Sequence, residues 1–496
     1  MRLQETANNF FLFDNSFARS LHSFYVRCNA DTVPAPKLLQ FNDVLAKQLG
    51  IESSMLNSEL GSAIFSGNVI PDGAEPLAQV YAGHQFGGFS PQLGDGRALL
   101  LGEVIDTLGV RRDIQLKGSG RTPFSRNGDG KATLGPVLRE YLIAESMHAL
   151  GVPTTRALAA VITGETVNRE KPLPGAILTR VAASHIRIGT FQFFAARGDT
   201  DNVRKLADYA IERHKLVTPD IDNKYLSFFK AVANVQSALV ARWMSLGFIH
   251  GVMNTDNMTV SGETIDYGPC AFMDLYSPHT VFSSIDTHGR YAYANQPSIL
   301  LWNLARLAET IIPLVDPDND RAVELLTNVV QDTSNAYQNH WLDIMRSKIG
   351  LTTKKLVDVD LVNELLSLME KNHTDFTLVF RHLSNVLRGD NTQMRQHFDN
   401  RTSFDSWSQR WQQRMSLEEM DFEKRAALMD GINPIYIPRN HKVEEALSAA
   451  VEHNDMTPFS NLAEILRHPF DDVPEREDYS NPGPKLASPY QTFCGT

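Results

Sequence analysis

The chain has 496 residues, 42% of them hydrophobic and 21% charged, a composition that supports a large packed core in one big domain or two lobes. Its formal charge of −11 and isoelectric point near 5.8 speak against a general binder of nucleic acid or anionic membrane, because those partners demand a basic face. No stretch approaches the roughly 18 uninterrupted apolar residues of a bilayer span, residues 1–20 lack the basic head and apolar run of a secretory signal, and Cys28, Cys270 and Cys494 are too few for a disulfide scaffold.

In chain order, residues 1–75 read as an N-terminal extension. Glycines then cluster: Gly83, Gly87, Gly88, Gly94 and Gly96 precede a strand predicted at 99–104, and Gly118, Gly120, Gly128 and Gly130 follow a second at 112–116. Such segments bring backbone amides close to phosphate without Cβ obstruction, although any one glycine pair also serves as an ordinary turn. A Walker A loop is excluded, since Ala132 follows Gly130-Lys131 and Ser125 stands at the motif's first glycine. From residue 134, Val137, Leu138, Tyr141, Leu142 and Met147 share one helical face, with Pro136 in the first turn and Gly151 at the end. A small sheet followed by a helix makes residues 76–190 a nucleotide lobe. Helical periodicity at 226–246, 297–312, 321–345 and 359–387 makes residues 191–440 an α-rich lobe, interrupted at 248–276 by polar, glycine-containing sequence suited to loops that carry chemistry. Residues 441–496 read as one amphipathic helix and a mobile tail rich in Pro, Asp and Ser.

The chemistry-bearing residues recur in a fixed order. Lys117 ends a strand, the place of a kinase-type lysine that contacts phosphate and pairs with a helix glutamate; Glu140 is the natural partner and Glu145 a rival. His250 and Asn257 stand seven apart, the spacing of a kinase catalytic loop, and Asp266-Tyr267-Gly268 follows as a relative of Asp-Phe-Gly, whose aspartate binds magnesium. Val252 occupies the position of the kinase base, and valine accepts no proton. Asp256 could serve instead, or could support the metal or cap the loop.

With these residues in place the chain resembles the selenoprotein O family, described as pseudokinases that AMPylate proteins. The resemblance runs along essentially the whole sequence through Gln92-Leu93-Gly94-Asp95-Gly96-Arg97-Ala98, Leu116-Lys117-Gly118-Ser119-Gly120-Arg121-Thr122-Pro123, Ser125-Arg126-Asn127-Gly128-Asp129-Gly130, His250-Gly251-Val252-Met253-Asn254-Thr255-Asp256-Asn257-Met258 and Asp266-Tyr267-Gly268-Pro269. It implies an α+β, protein-kinase-like two-lobed fold that binds ATP reversed, so that AMP is transferred and pyrophosphate released. UTP is a variant donor, giving UMPylation. By the same resemblance Gly94, Gly96, Arg97, Lys117, Asp129 and Gly130 would meet nucleotide, Arg180 and Arg187 would grip its outer phosphates, Asn257 and Asp266 would bind Mg²⁺ or Mn²⁺, and Asp256 would take the proton. Substrates would be protein Ser, Thr or Tyr hydroxyls, including the enzyme's own, and the protein a cytoplasmic monomer with no nucleic-acid or membrane partner. Selenocysteine lies near the C-terminus of many relatives; here Cys494 takes that place, and a reversible disulfide to Cys270 would tie the tail to the active-site loop. An inert buried Cys270 and a loose Cys494 fit the sequence equally. The rival functions are a kinase with a displaced base and an inactive nucleotide-binding scaffold.

Overall fold

Eight strands of the N-terminal half form one antiparallel sheet. In chain order they are β1 (Tyr25–Arg27), β2 (Lys37–Phe41), β3 (Leu77–Gln79), β6 (Ala98–Ile105), β7 (Arg111–Lys117), β8 (Ala132–Thr133), β9 (Arg156–Asn168) and β10 (Pro172–Ala182). The order across the sheet is β1-β3-β6-β7-β10-β9-β2, with β8 also paired to β10. The intervening β4 (Gly83–Gln85) and β5 (Gly88–Ser90) make a separate hairpin. The computed structural model describes residues 10–52, 58–219, 221–399, 401–484 and 490–493.

The two strands expected from the sequence lie within β6 and β7, and the turn between them is chemically specified. Asp106 Oδ1 accepts the amides of Leu108 and Val110 at 2.9 and 2.8 Å, and Gly109 takes the left-handed φ of 76° the turn requires. The longest strands, β9 and β10, carry no alternating pattern. Leu158, Val161 and Ile177 pack into one core on one face, while Ala157, Ala160, Ala176 and Leu178 pack into another core on the opposite face. With both faces buried, the two-residue period disappears. β1 and β2, from the N-terminal segment, are strands of this same sheet.

Helix α1 (Leu134–Ala149) lies against β9 and β10 and ends at Gly151, whose φ is 75°. The larger helical half includes α2 (Ile188–Ala195), α3 (Lys224–Ser245), α4 (Gln296–Val315), α5 (Asn319–Lys348), α6 (Asp358–Asn372), α7 (Phe376–Leu387), α8 (Asn440–His453) and α9 (Thr457–Leu466). The single helix expected over 359–387 is broken into α6 and α7. His373 takes a φ of 49°, and Asp375 caps α7 by accepting the Leu378 amide at 2.7 Å while its other oxygen meets Arg439 at 2.6 Å. The C-terminal region likewise holds α8, α9 and a short further helix at Glu477–Ser480 among the described residues, where one helix was expected. Both α8 and α9 pack on α1, through Val443, Leu447, Phe459 and Leu462. The stretch Tyr293–Val315 is long and apolar enough to cross a bilayer by length and composition, but Leu300, Leu304, Leu307 and Ile311 sit fully inside the main core.

One core group is misplaced for stability. Lys348 is 3% exposed, with Nζ 4.4 Å from the centre of the Phe380 ring, and burial pulls its ammonium down to about 7. An unfolded lysine keeps its proton up to about pH 10.4, so the unfolded chain binds more protons between these values and stability rises with pH across that window. Lys348→Met should therefore stabilise the protein at pH 6 by on the order of 2 kcal/mol. Denaturant unfolding at pH 6 and pH 9 should show a smaller rise in stability for the variant than for the wild type.

Candidate active site

A cleft of about 1400 Å³ opens between the sheet and the 252–269 segment. Its floor follows from strand geometry. Lys117 on β7 is paired with Leu178 of β10, and Gln115 with Arg180, so Lys117 and Arg180 are diagonal neighbours on the same sheet face. Lys117 Nζ donates to Glu140 Oε2 of α1 at 2.6 Å and to Asp266 Oδ1 at 3.1 Å. Arg180 Nη1 reaches Asp266 Oδ1 at 2.8 Å, and Arg187 Nη1, at the start of α2, reaches Asp266 Oδ2 at 3.0 Å. Three cations thus converge on one carboxylate. They hold Asp266 well below the usual carboxylate range although its burial acts the other way. Glu145, the rival of Glu140, points elsewhere and pairs with Arg156 at 2.7 Å.

Asp266 is held in an uncommon backbone state, φ 61°, which a non-glycine residue adopts at some cost. The preceding carbonyl of Ile265 hydrogen-bonds His250 Nε2 at 2.9 Å, and His250 is stacked on Trp243 with ring centres 5.4 Å apart. The histidine of the catalytic-loop motif is therefore a buried strut that joins two loops. The short 3₁₀ turn Thr255–Asn257 presents the other polar groups. Asp256 is 7% exposed; burial pushes its carboxyl up to about 6 against hydrogen bonding from Gln85 and the charge of Arg187. Its Oδ2 accepts from Gln85 Nε2 at 3.1 Å, while Oδ1 is buried and has no hydrogen-bond partner among the described residues. Val252 lines the cleft, with no acceptor to offer there.

Every nucleotide- and metal-site residue expected from the sequence lines this one cleft: Gly94, Gly96, Arg97, Lys117, Asp129, Gly130, Arg180, Arg187, Asp256, Asn257 and Asp266. Several make contacts the sequence did not announce. A Cβ on Gly94 would lie 2.4 Å from the Phe124 ring, and one on Gly130, where φ is 70°, would lie 2.0 Å from the Gly120 carbonyl oxygen. These glycines let two loops touch. Asp129 is paired with Arg169 at 2.8 Å and accepts the Lys131 amide at 3.0 Å. Cys270 lies outside the lining, fully buried, its thiol pushed up to about 12 by burial. Cys494 lies outside the described residues. Of the nearby tail, residues 490–493 border the cleft, and Thr492 Oγ1 donates to the Pro269 carbonyl at 2.7 Å.

Sequence reasoning missed Tyr81, Gln85 and Asp95. The Arg187 guanidinium lies 4.4 Å from the centre of the Tyr81 ring and 3.7 Å from Asp95, and both partners are buried. Asp95 was visible inside the quoted Gly94-Asp95-Gly96 motif, but nothing local ties it to an arginine 92 positions on.

For a metal, Asn257 donates Nδ2 to the Val252 carbonyl at 3.0 Å, which leaves its Oδ1 as an acceptor in the cleft that Asp266 also lines. Among the described residues no group of three or more His, Cys, Asp or Glu side chains is placed to hold an ion. Two oxygen donors fit a magnesium-type ion, which takes one or two protein ligands and completes its shell with phosphate and water. Among the described residues, the buried Nε of Arg187 makes no hydrogen bond, and that of Arg180 makes none but lies 3.4 Å from Glu140 Oε1; the first adds donor capacity toward an anion.

The sequence matches the family "Protein adenylyltransferase SelO" over residues 9–467. It is 55% identical over 486 residues to a protein nucleotidyltransferase YdiU of Rhizobium rhizogenes, covering 98% of this chain and 97% of the relative. Proteins of the same name from Rhizobium leguminosarum bv. trifolii and Cereibacter sphaeroides are each 57% identical, over 98% of this chain and 97% and 100% of their own lengths. With the kinase-like motifs gathered in one cleft and a match spanning nearly the whole sequence, this chain belongs to the SelO family.

Proposed function

We propose that this protein transfers a nucleotidyl group, AMP from ATP or UMP from UTP, to Ser, Thr or Tyr hydroxyls of proteins, itself included, on a kinase-like two-lobed scaffold that holds the triphosphate reversed. The observation that carries this reading is the convergence of Lys117, Arg180 and Arg187 on Asp266 in a cleft where Val252 replaces the kinase base. A cationic group of this kind suits a departing pyrophosphate, whose charge exceeds that of the ADP-linked oxygen in phosphoryl transfer. Asn257 and Asp266 would hold Mg²⁺ or Mn²⁺, which when bound neutralises phosphate charge and polarises the phosphorus under attack. Asp256 accepts the proton of the incoming hydroxyl, and its elevated carboxyl range suits a group that gains and loses that proton near neutrality. Lys117 is kept in place for the phosphates by Glu140.

Incubation with ATP labelled at either the α- or the γ-phosphate tests this directly. Protein labelling from α-ATP alone, lost on chelation of divalent cations and restored by manganese or magnesium, is the expected result. Labelling from γ-ATP alone would make the protein a kinase with a displaced base, and labelling from neither would leave a nucleotide-binding scaffold.

A redox link between Cys270 and Cys494 belongs to the same proposal. Thr492 on Pro269 holds the tail within two residues of Cys494 and one residue of Cys270 in sequence. Because the Cys270 thiol is buried and hard to ionise, the disulfide requires the loop or tail to open. Mass spectrometry after oxidation should reveal a linked peptide that reductant removes; its absence excludes the link.

A further inference from the structure

The hairpin β4–β5 is laid against the Thr255–Asn257 turn strand to turn. The His84 amide donates to Thr255 Oγ1 at 2.7 Å and the Phe86 amide to Asn254 Oδ1 at 3.1 Å. Between these two bonds, Gln85 Nε2 donates to Asp256 Oδ2 at 3.1 Å. The Thr255 hydroxyl continues to Gln192 Oε1 at 2.6 Å, and Gln192 Nε2 meets His84 Nδ1 at 2.8 Å. Hairpin, turn and α2 therefore close into one hydrogen-bonded ring. Two glycines permit the approach: a Cβ on Gly83 would lie 2.5 Å from Asp256 Oδ1, and one on Gly189 would lie 2.1 Å from the Ala82 carbonyl oxygen. The hairpin's own turn is demanding. Phe86 and Gly87 have φ of 50° and 87°, the left-handed pair of a two-residue hairpin, and phenylalanine rarely supplies the first of them.

A loop needed only to cover nucleotide would not require this geometry. The side chain of Gln85 spends its amide on one oxygen of the Asp256 carboxylate, whose other oxygen has no hydrogen-bond partner among the described residues, a feature shared in this cleft by Asp95 and Glu140. We propose that Gln85 is a positioning residue for nucleotidyl transfer: with Oδ1 packed against Gly83, the Gln85 amide fixes the rotamer in which the Asp256 carboxylate lines the cleft and meets the acceptor's proton. Gly83 supports this by leaving room for that oxygen. The inference rests on the assignment of Asp256 as proton acceptor made above. It adds an element, the β4–β5 hairpin, whose role is to aim the base rather than to bind nucleotide.

The test uses the full-length protein and α-labelled ATP, with nucleotide affinity measured separately by titration. Gln85→Glu keeps the length of the side chain and removes the donor amide; Gly83→Ala pushes a methyl toward Asp256 Oδ1. Both should lose about 10- to 100-fold in kcat, the usual consequence of misplacing a reacting group by about 1 Å. KM for ATP and nucleotide affinity should stay within about twofold, since neither residue is needed to hold phosphate. Gln85→His, which keeps a ring N–H donor, should recover part of the lost kcat. Thermal melting of each variant separates misfolding from misplacement. Unchanged kcat in both Gln85→Glu and Gly83→Ala, or a loss of nucleotide affinity in step with kcat, would overturn the positioning role. A wild-type protein that takes no label from α-ATP would instead overturn the nucleotidyl-transfer reading beneath it.

Discussion

Asp266→Asn should reduce transfer from α-labelled ATP by at least about 1000-fold while leaving the protein folded. The side chain is the single anion on which Lys117, Arg180 and Arg187 meet, and in the function proposed above it is one of the two metal-holding side chains. Replacing the carboxylate with an amide keeps its shape but removes its charge, so three cations remain with Glu140 and Asp95 as their nearest anions. Truncation to alanine should be harsher, because removing one partner of a buried ion pair costs on the order of 3–5 kcal/mol. A melting comparison of Asp266→Asn and Asp266→Ala separates the two effects. In the absence of divalent metal, ATP should raise the melting temperature of Asp266→Asn more than that of the wild type, because its phosphates satisfy cations that the wild type already pairs. A variant that retains normal transfer would remove Asp266 from the chemistry.

Asp256→Asn carries the second large expectation, a loss of about 100- to 10,000-fold in kcat with little change in nucleotide affinity. Asparagine fits the same space and still accepts from Gln85, but it cannot take a proton. The separation of kcat from binding distinguishes this result from that of Asp266, where loss of metal should weaken nucleotide affinity as well. Comparable losses in kcat and affinity at Asp256 would argue for support of the metal instead of proton transfer.

These two aspartates show what a linear sequence exposes. Asn257 and Asp266 were legible because their spacing from His250 is short and fixed, and Lys117 because it ends a strand with its glutamate on the next helix. Glu140 was preferred to Glu145 although both lie on α1, and the structure agrees: Glu140 meets Lys117 at 2.6 Å while Arg156 occupies Glu145. Gly94 and Gly130 were singled out for contact with nucleotide; the close approaches that require glycine at these positions are to Phe124 and Gly120. Gln85 stayed hidden because its partner lies 171 positions away and glutamine has no motif of its own. β9 and β10 escaped for a different reason: a strand buried on both faces has no alternation to read.

The seating of α1 has a consequence for control. Its inner side packs on β9 and β10 and its outer side on α8 and α9, and Arg139, next to Glu140 in sequence, meets Glu444 of α8 at 3.0 Å. A helix held from front and back is a poor lever: swinging Glu140 away from Lys117 would first require prying off two helices and exposing Leu447, Phe459 and Leu462 to water. Inactivation by outward rotation of this helix, a switch open to enzymes whose helix is covered on one side alone, is closed to this fold. Its backbone amides should rank among the slowest to exchange with deuterium, with or without nucleotide.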